Sequence, residues 1–204
     1  MDFIKDFWER CSSSYAHLTT SGHLRSLENL RNFWDANFIN RIDFKNKTVL
    51  DYGVGGGYLG EYLFEKFNIK KYYGVDIADR SLAKAKENLS QYSEVELIHT
   101  DSFYKSFSDK DIDVFISQAV IQHFPNKEYL DKFLYKLKEL SPKKIMLQIA
   151  HGNNIFGNKY DTEDSVARIC KTNSEYVNSI LEYNIEFKSE VQGNGYQFII
   201  LNRN

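Results

Sequence analysis

A carboxylate followed by alternating glycines is the feature of this sequence with the clearest chemical meaning. Asp51 ends an apolar run, and Gly53, Gly55 and Gly57 follow at every second position before a helical pattern begins. Glycine accepts positive φ and has no Cβ, so a ligand can approach the main chain closely. The pattern predicts a turn that holds a ligand at a helix N-terminus, with a tight turn that binds nothing as the alternative.

A second acid indicates which ligand the turn would hold. Asp76 ends a short apolar strand pattern about twenty residues past the glycines, where a carboxylate can accept both hydroxyls of a ribose. The dinucleotide fingerprint needs a further glycine at its sixth position, and this chain has Tyr58 there. We therefore predict an adenosine-type nucleoside without a pyrophosphate, and a nicotinamide-dependent oxidoreductase is a disfavoured alternative.

These segments resemble the cofactor site of class I (Rossmann-like) S-adenosylmethionine-dependent methyltransferases. Asp76 is similar to the ribose-binding acid, Ile77 to the apolar residue that packs on adenine, and Asp101 to the acid that faces the adenine amino group. Residues 113–124 resemble the fourth-strand motif and the turn after it. The resemblance implies S-adenosyl-L-methionine as cofactor, S-adenosyl-L-homocysteine as product, and this set of cofactor-binding residues: Asp51, Gly53, Gly55, Gly57, Asp76, Ile77, Asp101, Ser102, Ser117 and Gln118.

Several of these residues also have a purely structural interpretation. Asp51 would meet the methionine ammonium of the cofactor, or it would cap the turn that follows it. Asp101 and Ser102 would contact adenine, or they would be turn residues after the third strand. Asp79 is predicted to be the N-cap of the helix that follows Asp76. At Ser117 and Gln118, the backbone carbonyls are expected to meet the methionine amine.

Two histidines are candidates for a general base. His123 follows the predicted fourth strand and His151 the fifth, and imidazole titrates near neutral pH, which suits removal of a proton from a hydroxyl acceptor. The alternative is that each orders its loop, and His99 is predicted to be structural or on the surface. Tyr15, His17 and Asn153 are predicted to contact the substrate.

The elements that position these residues alternate along the chain, which favours an α/β fold. We predict a three-layer Rossmann-like sheet, mostly parallel with an antiparallel last strand. Residues 1–204 are predicted to form one domain, with a helical extension or lid at 1–44 and the core at 45–204. Helices are predicted at 3–11, 23–42, 58–67, 80–90, 127–140 and 174–182, and strands at 49–52, 71–75, 95–99, 112–117, 144–149, 184–191 and 196–202.

Composition restricts the partners and the compartment. The 204 residues carry a net charge of −2, so a nucleic-acid partner is not expected. No apolar run approaches membrane-spanning length, and we expect a cytoplasmic protein that does not bind a membrane. Cys11 and Cys170 are too far apart to suggest a metal site or a disulfide framework. The Lys- and Asn-rich composition suggests a bacterial source, and the sequence does not define an oligomeric state.

The acceptor of the methyl group is narrowed by motifs that the chain lacks. Ser117 and Gln118 stand where the resemblance would place an Asp/Asn-Pro-Pro-aromatic motif for amino methylation of nucleic-acid bases, or carboxylates for Mg²⁺. Neither cysteine has the Pro-Cys context of a pyrimidine C5 nucleophile. We therefore predict metal-independent methylation of an O or N atom of a small molecule or carbohydrate, such as a surface-polysaccharide precursor. The alternatives are a non-catalytic or partner-activating subunit and, less favoured, an RNA methyltransferase.

Overall fold

The computed structural model describes residues 5–9, 26–108, 110–152, 155–156, 170–193 and 195–203. The chain divides into two compact units, Met1–Phe115 and Ile116–Asn204. The division falls inside the fourth strand, Val114–Ser117.

The first unit alternates helices with parallel strands. Strand β1 pairs in parallel with β2, which pairs in parallel with β3, and Asp51 lies opposite Gly74 while Asp76 lies opposite His99. The acids therefore lie near the carboxyl ends of neighbouring strands. The elements in chain order are α1 (described over residues 5–9), α2 (Leu27–Asn37), a 3-10 turn (Ile39–Arg41), β1 (Thr48–Tyr52), α3 (Tyr58–Phe67), β2 (Lys71–Asp76), α4 (Asp79–Asn88), β3 (Val95–His99), α5 (Thr100–Ser106) and the start of β4 (Val114–Ser117).

Local sequence explains where the helices of this unit begin and end. The hydroxyl of Ser26 accepts a hydrogen bond from the Asn29 N–H and caps α2, as serine commonly does. Helix α3 ends at Asn68, which takes the left-handed conformation that asparagine tolerates. Strand β1 is buried along its whole length, which is typical of a parallel strand covered on both faces.

The second unit contains the antiparallel part of the fold. Strand β9 pairs antiparallel with both β5 and β8. The elements in chain order are the end of β4, a 3-10 turn (Ile121–His123), α6 (Lys127–Leu140), β5 (Lys144–Ala150), β6 (Ile155–Phe156), β7 (Cys170–Lys171), α7 (Ser174–Leu181), β8 (Asn184–Lys188) and β9 (Tyr196–Asn202).

The strand order confirms the predicted fold class. Seven strands form one mixed sheet in the order β3-β2-β1-β4-β5-β9-β8, and β6 and β7 form a separate two-stranded sheet. Helices alternate with the strands, and the last strand is antiparallel as predicted. The fold is therefore Rossmann-like. Among the described residues, no helix is both long and apolar enough to span a membrane.

Several details of the sequence prediction were wrong, among them the helix predicted at 23–42, where α2 ends at Asn37 and a 3-10 turn follows at Ile39–Arg41. Asp101 and Ser102 belong to α5, a seven-residue helix too short to give a clear periodic signal. Asp79 is the first residue of α4 rather than its N-cap, which is Ala78, and the Asp79 carboxylate instead pairs with Lys5 Nζ at 2.8 Å. Strand β8 ends at Lys188 and not at 191, because the hydroxyl of Ser189 accepts the Phe198 N–H in place of a strand carbonyl.

Gly57 provides a test of how the first unit packs. Its φ is +80°, and a Cβ added there would lie 3.0 Å from Leu89 and 3.2 Å from Ala85 of the α4 region. We expect Gly57→Ala to lower the free energy of unfolding by about 2–4 kcal/mol, through left-handed strain and overpacking. Gly193→Ala is the control, because a Cβ there meets nothing within 4 Å, and it should change stability by less than about 0.5 kcal/mol in urea unfolding. Equal stability of the two variants would contradict this packing.

Candidate cofactor site

The carboxylate of Asp76 joins the glycine turn to the segment after β2. One oxygen accepts the Gly55 N–H at 2.9 Å, and the other accepts the Ala78 N–H at 2.9 Å. The turn is also held by strand β2, because the N–H groups of Gly53 and Val54 both donate to the Val75 carbonyl, at 2.7 and 2.9 Å. The structure thus brings the two predicted features, the glycine turn and the second acid, into direct contact.

Glycine is present at positions 55 and 57 of the turn for different physical reasons. At Gly55, φ is +52° and an added Cβ would meet nothing within 4 Å, so this backbone faces open space. At Gly57, an added Cβ would press on Ala85 and Leu89, so this glycine serves helix packing. Gly55 is therefore the position in the turn where a ligand has room to approach the main chain.

Asp51 has a protein partner that the sequence analysis missed. The Tyr72 hydroxyl donates to Asp51 Oδ2 at 2.6 Å, and both side chains are buried. Tyr72 reaches this place because Gly60 of α3 has no side chain: a Cβ there would lie 2.7 Å from the Tyr72 ring. A glycine in the interior of a predicted helix was the available signal for such a close approach.

The surroundings of the two acids raise their pKa values. Burial raises the pKa of Asp51 to about 7, against the opposing effect of the Tyr72 hydrogen bond, and the charge of Asp76 adds to the rise. Burial also raises the pKa of Asp76, although the N–H groups of Ala78, Gly55 and Ile77 favour its charged form. A cation or further donors at this site would be stabilised by both carboxylates.

The segments predicted to contact adenine lie close to these acids in the same unit. Ile77 follows Asp76 directly and is half-buried, and Asp101 and Ser102 lie exposed in the first turn of α5. His99 connects the segments: its Nε2 lies 3.0 Å from the Ile77 carbonyl oxygen, and its Nδ1 accepts the Asp101 N–H at 3.2 Å. These contacts fit the structural alternative of the prediction for His99, which named a structural or a surface residue.

The N-terminal helix supplies the true cap of α4. The Glu9 carboxylate accepts the N–H of Asp79 at 2.6 Å and that of Arg80 at 3.3 Å. A carboxylate at a helix N-terminus satisfies free amides and interacts favourably with the helix dipole. Phe7 anchors α1 by burying its ring. This long-range cap has no local sequence signal, which is why Asp79 was assigned the role.

In the second unit, the segment after β4 has an unusual backbone. Ser117 is fully buried, Gln118 is half-buried, and Ala119 takes a φ of 57°, a left-handed conformation that is uncommon for alanine. Backbone strain of this kind is frequent where a chain turns beside a functional site. The local sequence gave no signal for this left-handed conformation, because neither Gly nor Asn occupies position 119.

The two candidate bases differ in exposure. His123 lies in the 3-10 turn and is buried, whereas the side chain of His151 after β5 is exposed. Tyr15, His17 and Asn153 lie outside the described residues. Within the described ranges, no group of three or more His, Cys, Asp or Glu side chains is arranged to hold a metal ion. The Cys170 thiol is buried, which raises its pKa to about 12 and makes it a poor nucleophile.

Buried amides in the second unit were also missed by the sequence analysis. Gln122 Nε2 lies 3.1 Å from the Tyr196 hydroxyl, while Gln122 Oε1 and Gln148 Oε1 accept no hydrogen bond from the part of the chain that the structure describes. Gln148 lies opposite Phe198, which is two residues from Tyr196 along β9. The side chains of Gln148 and Tyr196 are therefore on the same face of the β5–β9 pair. Buried acceptors without donors are unfavourable unless another group satisfies them.

The raised pKa of Asp51 predicts a pH-dependent contribution to stability. Asp51 holds its proton in the folded chain up to about pH 7 but loses it near pH 4 when unfolded, so its contribution is full at low pH and lost as pH rises through 7. Asp51→Asn keeps an oxygen for the Tyr72 hydroxyl and does not titrate. From pH 5 to pH 8, urea unfolding should show this variant gaining about 2–3 kcal/mol relative to the wild type. A constant difference would contradict the assignment.

Comparison with known proteins identifies the family. A family model described as a methyltransferase domain matches residues 43–200, which is most of the chain. Phosphoethanolamine N-methyltransferase 2 of Caenorhabditis elegans is 31% identical over 123 residues, covering 59% of this chain and 28% of that protein. The chain therefore spans less than a third of this relative's length.

Solved structures share the fold at lower identity. Magnesium protoporphyrin IX methyltransferase of Synechocystis PCC 6803 with bound S-adenosylhomocysteine has a TM-score of 0.64 at 16% identity, over 100% of this chain and 97% of that one. A methyltransferase in complex with a methyltransferase activator from Haloferax volcanii has a TM-score of 0.62 at 11% identity, over 84% and 92% of the two chains. The family model and the fold agree, and the chain belongs to the class I family of S-adenosylmethionine-dependent methyltransferases.

Proposed function

We propose that this protein transfers a methyl group from S-adenosylmethionine to an O or N atom of a small polar acceptor, without a metal ion. The observation that carries the proposal is the contact between the Asp76 carboxylate and the Gly55 N–H, beside a backbone position with open space. This arrangement offers a charged acceptor for ribose hydroxyls next to bare main chain. Its residue types and spacing suit an adenosine ligand.

Each residue of the first unit would have a separate part in holding the cofactor. Asp76 would bind the ribose, Gly53, Gly55 and Gly57 would shape the turn, and Asp51 would stabilise the methionine ammonium. Ionisation of Asp51 becomes favourable when a cation neutralises it, since its pKa in the chain alone is about 7. The adenine would lie against Ile77, Asp101 and Ser102, and the resemblance in sequence makes Ser117 and Gln118 further candidates for cofactor binding.

The protein's contribution to the reaction is orientation and exclusion of water. The cofactor, when bound, supplies a methyl group already activated by a positively charged sulfur. Holding two reactants in line can lower a barrier by about 7–11 kcal/mol, so a strong base is not required for an amine acceptor. For a hydroxyl acceptor, His123 or His151 would accept the proton. The exposure of His151 supports it as the residue better placed to exchange that proton with solvent.

The second unit supports a polar acceptor. Gln122 and Gln148 bury amide oxygens that accept no hydrogen bond from the described residues, and the Tyr196 hydroxyl is beside Gln122. Such acceptors suit an ammonium, amine or hydroxyl donor on the substrate. The N-methyltransferase among the relatives agrees with a nitrogen acceptor, and a sugar or surface-polysaccharide precursor is the oxygen counterpart.

One alternative has a specific observation in its favour. A structural neighbour was solved in complex with a methyltransferase activator, which supports a subunit that binds the cofactor and depends on a partner. Assay of the isolated chain with and without added activator proteins separates this from autonomous activity. An RNA methyltransferase is less favoured because the net charge is −2.

The family match spans both units, which supports our proposal that they act as one domain.

Asp76→Asn tests the cofactor site directly. The substitution keeps the size of the side chain but replaces one acceptor oxygen by a donor, so ribose hydroxyls lose an acceptor. We expect binding of S-adenosylhomocysteine to weaken by about 1–3 kcal/mol in isothermal titration calorimetry. Asp113→Asn is the control, since Asp113 also accepts a backbone N–H, from Thr48 at 2.9 Å, and no cofactor contact is proposed for it. Unchanged affinity in a folded Asp76→Asn variant would count against the site.

Histidine substitutions test the proposed base. His151→Ala should leave S-adenosylhomocysteine affinity and stability within error, because the side chain is exposed, and should lower kcat at least tenfold for a hydroxyl acceptor. His123→Gln should be measured beside it, because His123 is buried and alanine there would leave a cavity. Methyl transfer to a panel of amine and sugar acceptors supplies the readout. Full activity of both variants with every acceptor would remove histidine as base.

A further inference from the structure

The imidazole of His99 lies between the two segments proposed to bind adenine. Its Nε2 lies 3.0 Å from the carbonyl oxygen of Ile77, and its Nδ1 accepts the backbone N–H of Asp101 at 3.2 Å. Ile77 follows β2, whereas Asp101 lies in the first turn of α5. One side chain therefore links two separate elements of the cofactor site.

The two partners define the tautomer of the ring. A carbonyl oxygen only accepts, so Nε2 carries the hydrogen, and a backbone N–H only donates, so Nδ1 carries the lone pair. The neutral ring with its proton on Nε2 is the form that makes both hydrogen bonds. The sequence position of His99 does not give this assignment, because it depends on the Ile77 carbonyl 22 residues away.

The position of His99 couples it to the ribose acid and to helix α5. In the ladder of β2 and β3, His99 lies opposite Asp76. It is also the N-cap of α5, a helix of seven residues with Asp101 in its first turn. A helix this short depends on its cap, because an isolated turn is unfavourable to nucleate. The Asp101 carboxylate also lies beside the ring, with Oδ2 3.7 Å from Nδ1, so the placement of this side chain depends on His99.

We propose that His99 is a positioning residue for adenine recognition. Its Nδ1 holds α5 so that the Asp101 carboxylate faces the adenine amino group, and its Nε2 holds the Ile77 backbone so that the Ile77 side chain packs on the ring. The inference rests on the proposed function of this site. It assigns His99 two separable effects: specificity for the amino group through Asp101, and affinity for the ring through Ile77.

Two substitutions separate these effects, because each replaces one ring nitrogen. In His99→Asn, the amide oxygen can stand in for Nδ1 and cap α5, but the side chain is too short to reach the Ile77 carbonyl. In His99→Gln, the amide nitrogen can stand in for Nε2 and keep the Ile77 bond, while the cap of α5 is lost. The probes are S-adenosylhomocysteine and its deaminated analogue, in which a carbonyl oxygen replaces the adenine amino group.

Calorimetry with both probes gives the result that tests the proposal. We expect His99→Asn to bind both probes about tenfold more weakly, with the wild-type preference for the amino group kept. His99→Gln should lose about tenfold in affinity for S-adenosylhomocysteine only, so that the preference falls. Glu96→Gln on the exposed side of β3 is the control and should bind both probes as the wild type does.

Two results would overturn the proposal, and a third would overturn the proposed function. Wild-type affinity and preference in both histidine variants would overturn the proposal. The same loss for both probes in both variants, in proportion to lost stability in urea, would also overturn it, because it would show a general structural role. Failure of the wild-type protein to bind S-adenosylhomocysteine would instead overturn the proposed function on which the inference rests.

Discussion

The hydrogen bond between the Gly55 N–H and the Asp76 carboxylate, 2.9 Å long, is the interaction on which the site depends. A carboxylate in a half-buried position is unfavourable unless donors surround it, and the backbone N–H groups of Gly55 and Ala78 supply two of them. The same contact fixes the distance between the glycine turn and the end of β2. Lone pairs that the backbone does not use stay available to a ligand. One side chain thus fixes the geometry of the turn and, in the proposed function, would also bind the ribose.

Glycines position the rest of the site, because the absence of a side chain lets neighbouring residues approach the main chain closely. Gly74 of β2 lets Val54 of the turn approach, because a Cβ there would lie 2.9 Å from the valine. Gly60 of α3 lets Tyr72 reach Asp51, and Gly57 lets the start of α3 lie against α4. Only Gly55 among the positions compared in the turn opens toward free space. Most of these glycines therefore serve packing, and the proposed ligand site is at Gly55, where an added Cβ would meet no atom within 4 Å.

Sequence patterns predicted the elements with strong periodicity and failed where long-range contacts decide. Helices α3 and α6 and strand β9 were predicted with their observed bounds, because amphipathic or alternating patterns and clear turn residues define them. Helix α5 was missed, since it has only seven residues and its cap is a histidine, which is not one of the usual N-cap residues. The cap of α4 comes from Glu9, 70 residues away, and the partner of Asp51 is Tyr72. Such partners carry no local signal.

A crystal structure of the wild-type protein with S-adenosylhomocysteine tests the central claim most directly. We expect both ribose hydroxyls within hydrogen-bonding distance of the Asp76 carboxylate, the ligand in contact with the main chain of Gly55, and the adenine amino group facing Asp101. A bound ligand that does not touch Asp76 would contradict the proposed site, as would a Gly55 main chain that contacts no ligand atom when the ligand is present in saturating amounts.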